Sequence, residues 1–261
     1  MSSIRPVALV TGASAGIGRE LCDVLAREGH DLVLVARREP ELTALAAELK
    51  ERYGADSRVV VADLSKARAA QTIVKELGPQ TQVDVLVNNA GFGGHGKFWE
   101  RNRDEDLRQI AVNVTALTEL TRLLLPGMVE RHRGRVLNVA STAAFQPGPF
   151  MAVYYATKAY VLSFSEAISS ELAGTGVTVT TLCPGVTVTE FQKVAGVEHV
   201  PLTTGPLSMS ARSVAEAAYK GMAQGKRLVV PGVHNKVGAA SVRLAPRGVI
   251  LRVVRRLHPA D

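Results

Sequence analysis

Cysteine is nearly absent from this chain: Cys22 and Cys183 are the only two among 261 residues, one in a predicted helix and one at the end of a predicted strand. That pattern excludes a disulfide framework and makes both free, reduced packing residues. Aromatic residues are also scarce, at 5% with a single tryptophan. None is interleaved with the basic residues of the C-terminal tail, so no nucleic-acid partner is expected. No apolar run approaches the ~18 residues that would read as a spanning helix. None of the six histidines has a partner at metal-ligand spacing; His95 and His199 read as loop residues, and no metal is expected. Residues 1–5 enter the strand-like segment 6–10 directly, without the apolar core of a signal peptide, and the expectation is a cytoplasmic chain.

What the chain does have is an ordinary globular balance, 46% hydrophobic and 21% charged, in a length suited to one α/β domain. The net charge of +7 is not spread evenly. Residues 226–261 carry eight Lys or Arg against the single acid Asp261, which leaves residues 1–225 neutral. Apolar runs at 7–10, 32–35, 59–62, 83–87, 135–139, 177–182 and 228–230 read as seven strands, separated mostly by segments of helical pattern. Strands apolar at nearly every position are buried on both faces. The expected fold is therefore doubly wound and Rossmann-type, a seven-stranded, mostly parallel sheet with helices on both faces and ligands beyond the carboxyl ends of the strands. Residues 1–232 form the expected catalytic domain, including an apolar lid at 190–209, and residues 233–261 a basic amphipathic helical extension.

The first strand runs into Thr11-Gly12-Ala13-Ser14-Ala15-Gly16-Ile17-Gly18 and then a helix. Glycines at such a turn let the backbone approach a pyrophosphate, and the helix N-terminus offers it unpaired N–H groups. This spacing resembles the Thr-Gly-x-x-x-Gly-x-Gly pattern of the short-chain dehydrogenase/reductase family. The resemblance extends to Asp63-Leu64, where Asp63 matches an adenine-contacting Asp, and to Asn88-Asn89-Ala90-Gly91 after the fourth strand. It covers roughly residues 5–232. Cofactor choice is read at the end of strand two, where Arg37 and Arg38 stand at the ligand edge and fit a 2′-phosphate. Asp31 begins that strand and lies at the wrong edge. NADP(H) is the expected cofactor.

Ser141 follows strand five, and Tyr154 and Lys158 lie four residues apart, on one face of a helix. Reducing a carbonyl needs a proton on oxygen, and a nearby lysine ammonium, together with oxidised nicotinamide, is expected to lower the tyrosine pKa. The resemblance implies that Tyr154 is the acid-base residue, that Lys158 also holds the nicotinamide ribose and that Ser141 orients the carbonyl. It further implies that Asn113 holds a water in a proton relay. Tyr155, three residues from Lys158, reads as packing or substrate contact. After strand six, Pro184-Gly185-Val186-Thr187 and Thr189 resemble the family's turn at the nicotinamide carboxamide.

Phe191, Val194, Val197, Val200, Leu202, Leu207 and Met209 give the lid an apolar character, and the loop 91–96 faces the same region. The expected reaction interconverts a hydrophobic ketone or aldehyde and an alcohol; the alternative is a non-catalytic NADP(H)-binding sensor or scaffold. A homo-oligomer is the expected assembly. In the tail, Val249, Ile250, Val253, Val254 and Leu257 form one stripe of a helix bounded by Pro246 and Pro259, opposite Arg252, Arg255 and Arg256. Two readings fit: the stripe packs on the body or a second subunit, or it makes a peripheral membrane contact with the arginines at anionic headgroups.

Overall fold

The computed structural model describes residues 5–197, 208–242 and 244–257. Seven strands form one sheet: β1 (Val7–Thr11), β2 (Asp31–Ala36), β3 (Ser57–Val61), β4 (Val83–Asn88), β5 (Gly134–Val139), β6 (Val177–Leu182) and β9 (Leu228–Val229). Their order is β3-β2-β1-β4-β5-β6-β9, and every pairing is parallel. The expected sheet is thus present and wholly parallel. Its last strand stops one residue earlier than the apolar pattern implied, because only Leu228 and Val229 pair with β6.

Both faces of the sheet are covered, which is why its strands read as continuous apolar runs. On one face, Leu21 and Leu25 of α1 (Gly16–Arg27), Leu42 and Leu49 of α2 (Glu39–Tyr53) and Met222 of the helix Ala211–Ala223 pack in a single buried cluster. On the other, Ile73 of α3 (Ala69–Leu77) and Leu120 and Met128 of α5 (Leu117–Glu130) pack with Leu9, Leu86 and Val136. Each fully buried side chain of this size contributes about 1.5–3 kcal/mol.

The reversal of strand order between β1 and β4 opens a crevice at the carboxyl edge. Three further features shape it. Between α4 (Arg103–Ile110) and α5 the helix widens into a π turn at Ala111–Ala116, with Asn113 buried in it. α6 (Ala152–Glu171) runs beside β5 and β6. After β6, the two-residue strands β7 (Thr187–Val188) and β8 (Met209–Ser210) pair with each other, a parallel ladder the sequence pattern does not reveal. The short α7 (Phe191–Ala195) lies in the expected lid, whose Val200, Leu202 and Leu207, like His199, fall outside the described residues.

The helix Ala211–Ala223 is α8 and is followed by α9 (Val233–Ser241) and α10 (Arg247–Leu257). α10 occupies the span expected for the tail helix. Its stripe packs on the body at Ile250 and Val254, both buried, whereas Val249, Val253 and Leu257 stay 41–50% exposed. No described helix is long and apolar enough to cross a membrane. Cys22 and Cys183 are free and buried, and burial pushes the Cys183 thiol up to about 12.

Candidate active site

β1 delivers the chain to a turn that only glycine can make at two points. Gly12 sits at φ +68°, and a Cβ there would lie 2.8 Å from Asn89 Nδ2. A Cβ on Gly18 would collide with the Asn89 side chain and the Gly12 carbonyl. The Gly12 and Ala13 amides donate to the Val35 carbonyl at 2.8 and 3.2 Å. Asn89 Nδ2 donates to the Thr11 carbonyl at 2.9 Å, and the Thr11 hydroxyl accepts from the Asn89 and Ala90 amides, each at 3.0 Å. At the start of α1, Ala15 has no side chain to cap the helix and the first turn holds no acid. Its unpaired N–H groups and positive dipole end therefore remain open to an anion.

Beyond β2, Arg37 and Arg38 border the same cleft. The Arg38 guanidinium donates to the Ser14 hydroxyl at 3.2 Å and forms a two-pronged pair with Glu190 at 3.0 and 3.3 Å. Asp31 pairs with Arg5 at 3.2 Å, below the opposite ends of the strands, and does not border the cleft. Burial pushes the Asp63 carboxyl up, but hydrogen bonds from the Ser65 amide and hydroxyl, with help from Arg37, outweigh it and hold the group below its ordinary value.

Ser141, Tyr154 and Lys158 meet at the middle of the cleft. The Ser141 hydroxyl accepts from the Ala143 amide at 3.1 Å, which leaves its own proton free to donate. Lys158 Nζ donates to the Val139 carbonyl at 2.7 Å and lies 5.8 Å from the centre of the Tyr154 ring. Enclosure pushes the Tyr154 phenol up to about 12, against the opposing effect of its hydrogen bond with Ser141. The same enclosure brings Lys158 down to about 8. Both groups are desolvated by the same enclosure, and the close polar contact of Lys158 is the Val139 carbonyl.

Of the candidate site residues named from sequence, Gly12, Ser14, Ala15, Gly16 and Ile17 of the glycine turn line the cleft with Arg37, Arg38, Asp63, Leu64 and the 89–91 turn, as do Ser141, Tyr154, Lys158 and the segment 184–189 except Val188. Two do not. Gly18 is packing beneath the turn, and Asn113 stands behind the wall. The Asn113 side chain clips the loop at Phe92 through both of its backbone groups, at 3.0 and 3.1 Å. It also donates to Thr157 at 3.0 Å, whose hydroxyl donates to the Tyr154 carbonyl at 2.7 Å. Sequence reading gave no individual role to Thr11, Thr157 or Glu190, which act through hydroxyls and a carboxylate in unremarkable surroundings. Tyr155 is buried among Met151, Val197 and Val254 and also borders the cleft, so packing and substrate contact both fit its position.

The profile of the short chain dehydrogenase family matches residues 6–198. A very-long-chain 3-oxoacyl-CoA reductase of Anas platyrhynchos is 32% identical over 192 residues, 72% of this chain and 62% of that protein. The inactive hydroxysteroid dehydrogenase-like protein 1 of Homo sapiens is 31% identical over 194 residues, 74% of this chain and 59% of that one. The chain spans 56–62% of the length of the first curated relatives it matches. Among solved structures, a short-chain dehydrogenase from Sphingobium yanoikuyae in complex with NADPH is 33% identical with a TM-score of 0.84, over 94% of both chains. One from Burkholderia phymatum in complex with NAD is 26% identical with a TM-score of 0.83, over 95% of both. With its parallel sheet, its glycine turn and its Ser141, Tyr154 and Lys158 cluster, the chain belongs to the short-chain dehydrogenase family of nicotinamide-dependent oxidoreductases.

Proposed function

We propose that this protein is an NADP(H)-dependent oxidoreductase that interconverts a hydrophobic ketone or aldehyde and its alcohol, with Tyr154 as acid and base. The observation that carries this reading is one cleft that joins two arginines at its cofactor end to a proton-donating cluster beside an apolar wall that includes Met151, Phe191 and Val194. The uncapped start of α1 suits the pyrophosphate, Asp63 the adenosine, and Arg37 and Arg38 the 2′-phosphate. When bound, the dinucleotide supplies or accepts the hydride.

The chain's own part is binding and proton handling. The Ser141 hydroxyl donates to the carbonyl oxygen and polarises it. The Tyr154 phenol, protonated at neutral pH as any phenol is and held more firmly so by its enclosure, gives its proton to that oxygen as charge develops. Lys158 returns positive charge to the neighbourhood of the phenolate, and Asn113 with Thr157 keeps the helix turn bearing Tyr154 in register. The naming of one relative after 3-oxoacyl-CoA reduction is in keeping with an apolar ketone. A second copy of this chain is the partner we assign to the exposed Leu107, Ile110, Leu123 and Tyr160.

The naming of another relative as inactive favours one competing reading, a non-catalytic NADP(H) binder. NADPH oxidation measured over a panel of ketones and aldehydes, with wild type and Tyr154→Phe, separates the two. Turnover that falls ~100-fold or more in the variant, with NADPH binding retained, is the expected result. Wild type that binds NADPH and reduces no member of the panel, or Tyr154→Phe that turns over normally, defeats the catalytic assignment.

A further inference from the structure

The family profile ends at residue 198, yet the cleft it describes is closed by residues far beyond that point. Val254 and Leu257 of α10 both line the cleft, and no other described residue after 197 does so. They are not a loose edge. Val254 and its helical neighbour Ile250, at 5% and 8% exposure, are packed in one cluster with Met151, Tyr155, Ala195 and Val197; the partly buried Tyr154 and Phe191 pack against it. One turn of α10 is thereby in the same apolar body as the ring of the proposed acid and the first turn of α7.

A second contact ties α10 to the catalytic helix. The Arg255 guanidinium lies over the Phe150 ring, 5.7 Å from its centre, in the range of a cation–π contact. Phe150 is held at φ +66°, a backbone region unfavourable for a side chain of its size. It stands two residues before α6 begins, and its carbonyl accepts from the Gly96 amide at 2.8 Å. The segment that leads into Tyr154 is thus fixed from both sides, by the 91–96 loop and by the C-terminal helix.

Resting on the carbonyl-reductase reading above, we propose that α10 is the specificity wall of this enzyme: Val254 and Leu257 touch the substrate's apolar group and set how large it can be. Val254 is rigid, β-branched and buried, so it fixes the depth of the pocket. Leu257, 41% exposed, stands at the rim and sets its opening. Val254 and Leu257 carry no polar group and share the cleft lining with Met151, Phe191, Val194 and Val197, so they discriminate by volume. One methylene in such a pocket changes kcat/KM by about 10-fold or more.

The experiment uses the full chain and a series of straight-chain methyl ketones of rising length, with kcat/KM for NADPH oxidation and, separately, calorimetric ketone binding to the NADP+-loaded protein. Val254→Phe is expected to lower kcat/KM and binding for the longest ketones ~10-fold or more while sparing the shortest. Val254→Ala and Leu257→Ala are expected to move the optimum to longer chains. Val249→Ala and Val253→Ala, on the exposed flank of the same helix, serve as controls that leave the profile unchanged. NADPH affinity and thermal unfolding identify any variant damaged in its fold, and Leu257→Ala, at the rim, then carries the test. An unaltered length profile in variants that fold and bind NADPH overturns the proposal. So does a loss equal at every chain length. The binding measurement decides the matter without turnover, so a wild type that reduces no ketone refutes the catalytic reading and leaves the wall to be judged by binding alone.

Discussion

Replacing Arg38 by glutamine removes a guanidinium that already has two anionic partners, Glu41 at 3.4 Å and Glu190 at 3.0 Å, and the closer pair sets the size of the effect. A charge-assisted hydrogen bond to phosphate is worth about 1.5–3 kcal/mol. To make it, Arg38 must give up the pair with Glu190, whose side chain is 60% exposed; such surface pairs are worth about 0–1 kcal/mol. The net loss of NADPH affinity in Arg38→Gln is then about 0.5–3 kcal/mol, or roughly 2- to 150-fold. The converse change, Glu190→Gln, removes the closer of the two carboxylates and leaves Glu41 at 3.4 Å; it is expected to tighten NADPH by up to about 5-fold. NADH, which lacks the 2′-phosphate, should be unaffected by either. Fluorescence titration of both cofactors against wild type and the two variants, at low and at physiological salt, measures all of this, and the effects should shrink with salt. Equal losses for NADPH and NADH in Arg38→Gln would refute the assignment of Arg38 to the phosphate. Weaker NADPH binding in Glu190→Gln would refute the competition.

Three other outcomes follow from the site. Lys158 is held at about 8 against 10.5 for a free lysine, so its ammonium is lost as pH rises through about 8. kcat/KM for reduction should fall above that pH, and because the unfolded chain then holds the extra proton, stability should rise between about 8 and 10.5. A flat profile across this window removes Lys158 from proton handling. Asn113→Leu breaks three hydrogen bonds, the one to Thr157 buried and the two to the Phe92 amide and carbonyl part-buried, a loss of at most about 1–3 kcal/mol for each group stranded away from water. A lowered Tm with a larger drop in kcat than in NADPH affinity is expected, whereas unchanged thermal unfolding contradicts the clip. The tail helix has committed the centre of its apolar stripe to the body, so sedimentation with anionic vesicles should be weak and abolished by salt. Salt-resistant binding would show that α10 leaves the body for a membrane.

The parts of this molecule that were legible in its sequence are those with a period or a special backbone. Continuous Val and Leu runs gave the seven strands to within a residue or two, since burial on both faces admits few other side chains. Gly12 and Gly18 were legible because a side chain there meets Asn89, and Tyr154 and Lys158 because their spacing is a helical turn. What escaped has no such signature. Thr11 and Thr157 act through single hydroxyls that local sequence does not distinguish from packing threonines. β7 and β8 are two residues each, too short for alternation. Asn113 was identified, but its bonds to Phe92 and Thr157 from within a π turn were not. The tail stripe was read at the right residues, yet only three-dimensional packing could decide which of them meet the body and which form the wall of the cleft.

The β7–β8 ladder has a bearing on how this protein can change over generations. Thr187 pairs with Met209 and Val188 with Ser210, and the Met209 amide also donates to the Val186 carbonyl at 2.9 Å. The two ends of the intervening stretch are therefore stitched together at its base, beside the cofactor end of the cleft. Closing a loop costs little more as it lengthens, only about 0.6 kcal/mol for a doubling. The stretch between the stitches can therefore gain, lose or exchange residues over generations while the pairing that anchors both of its ends is kept.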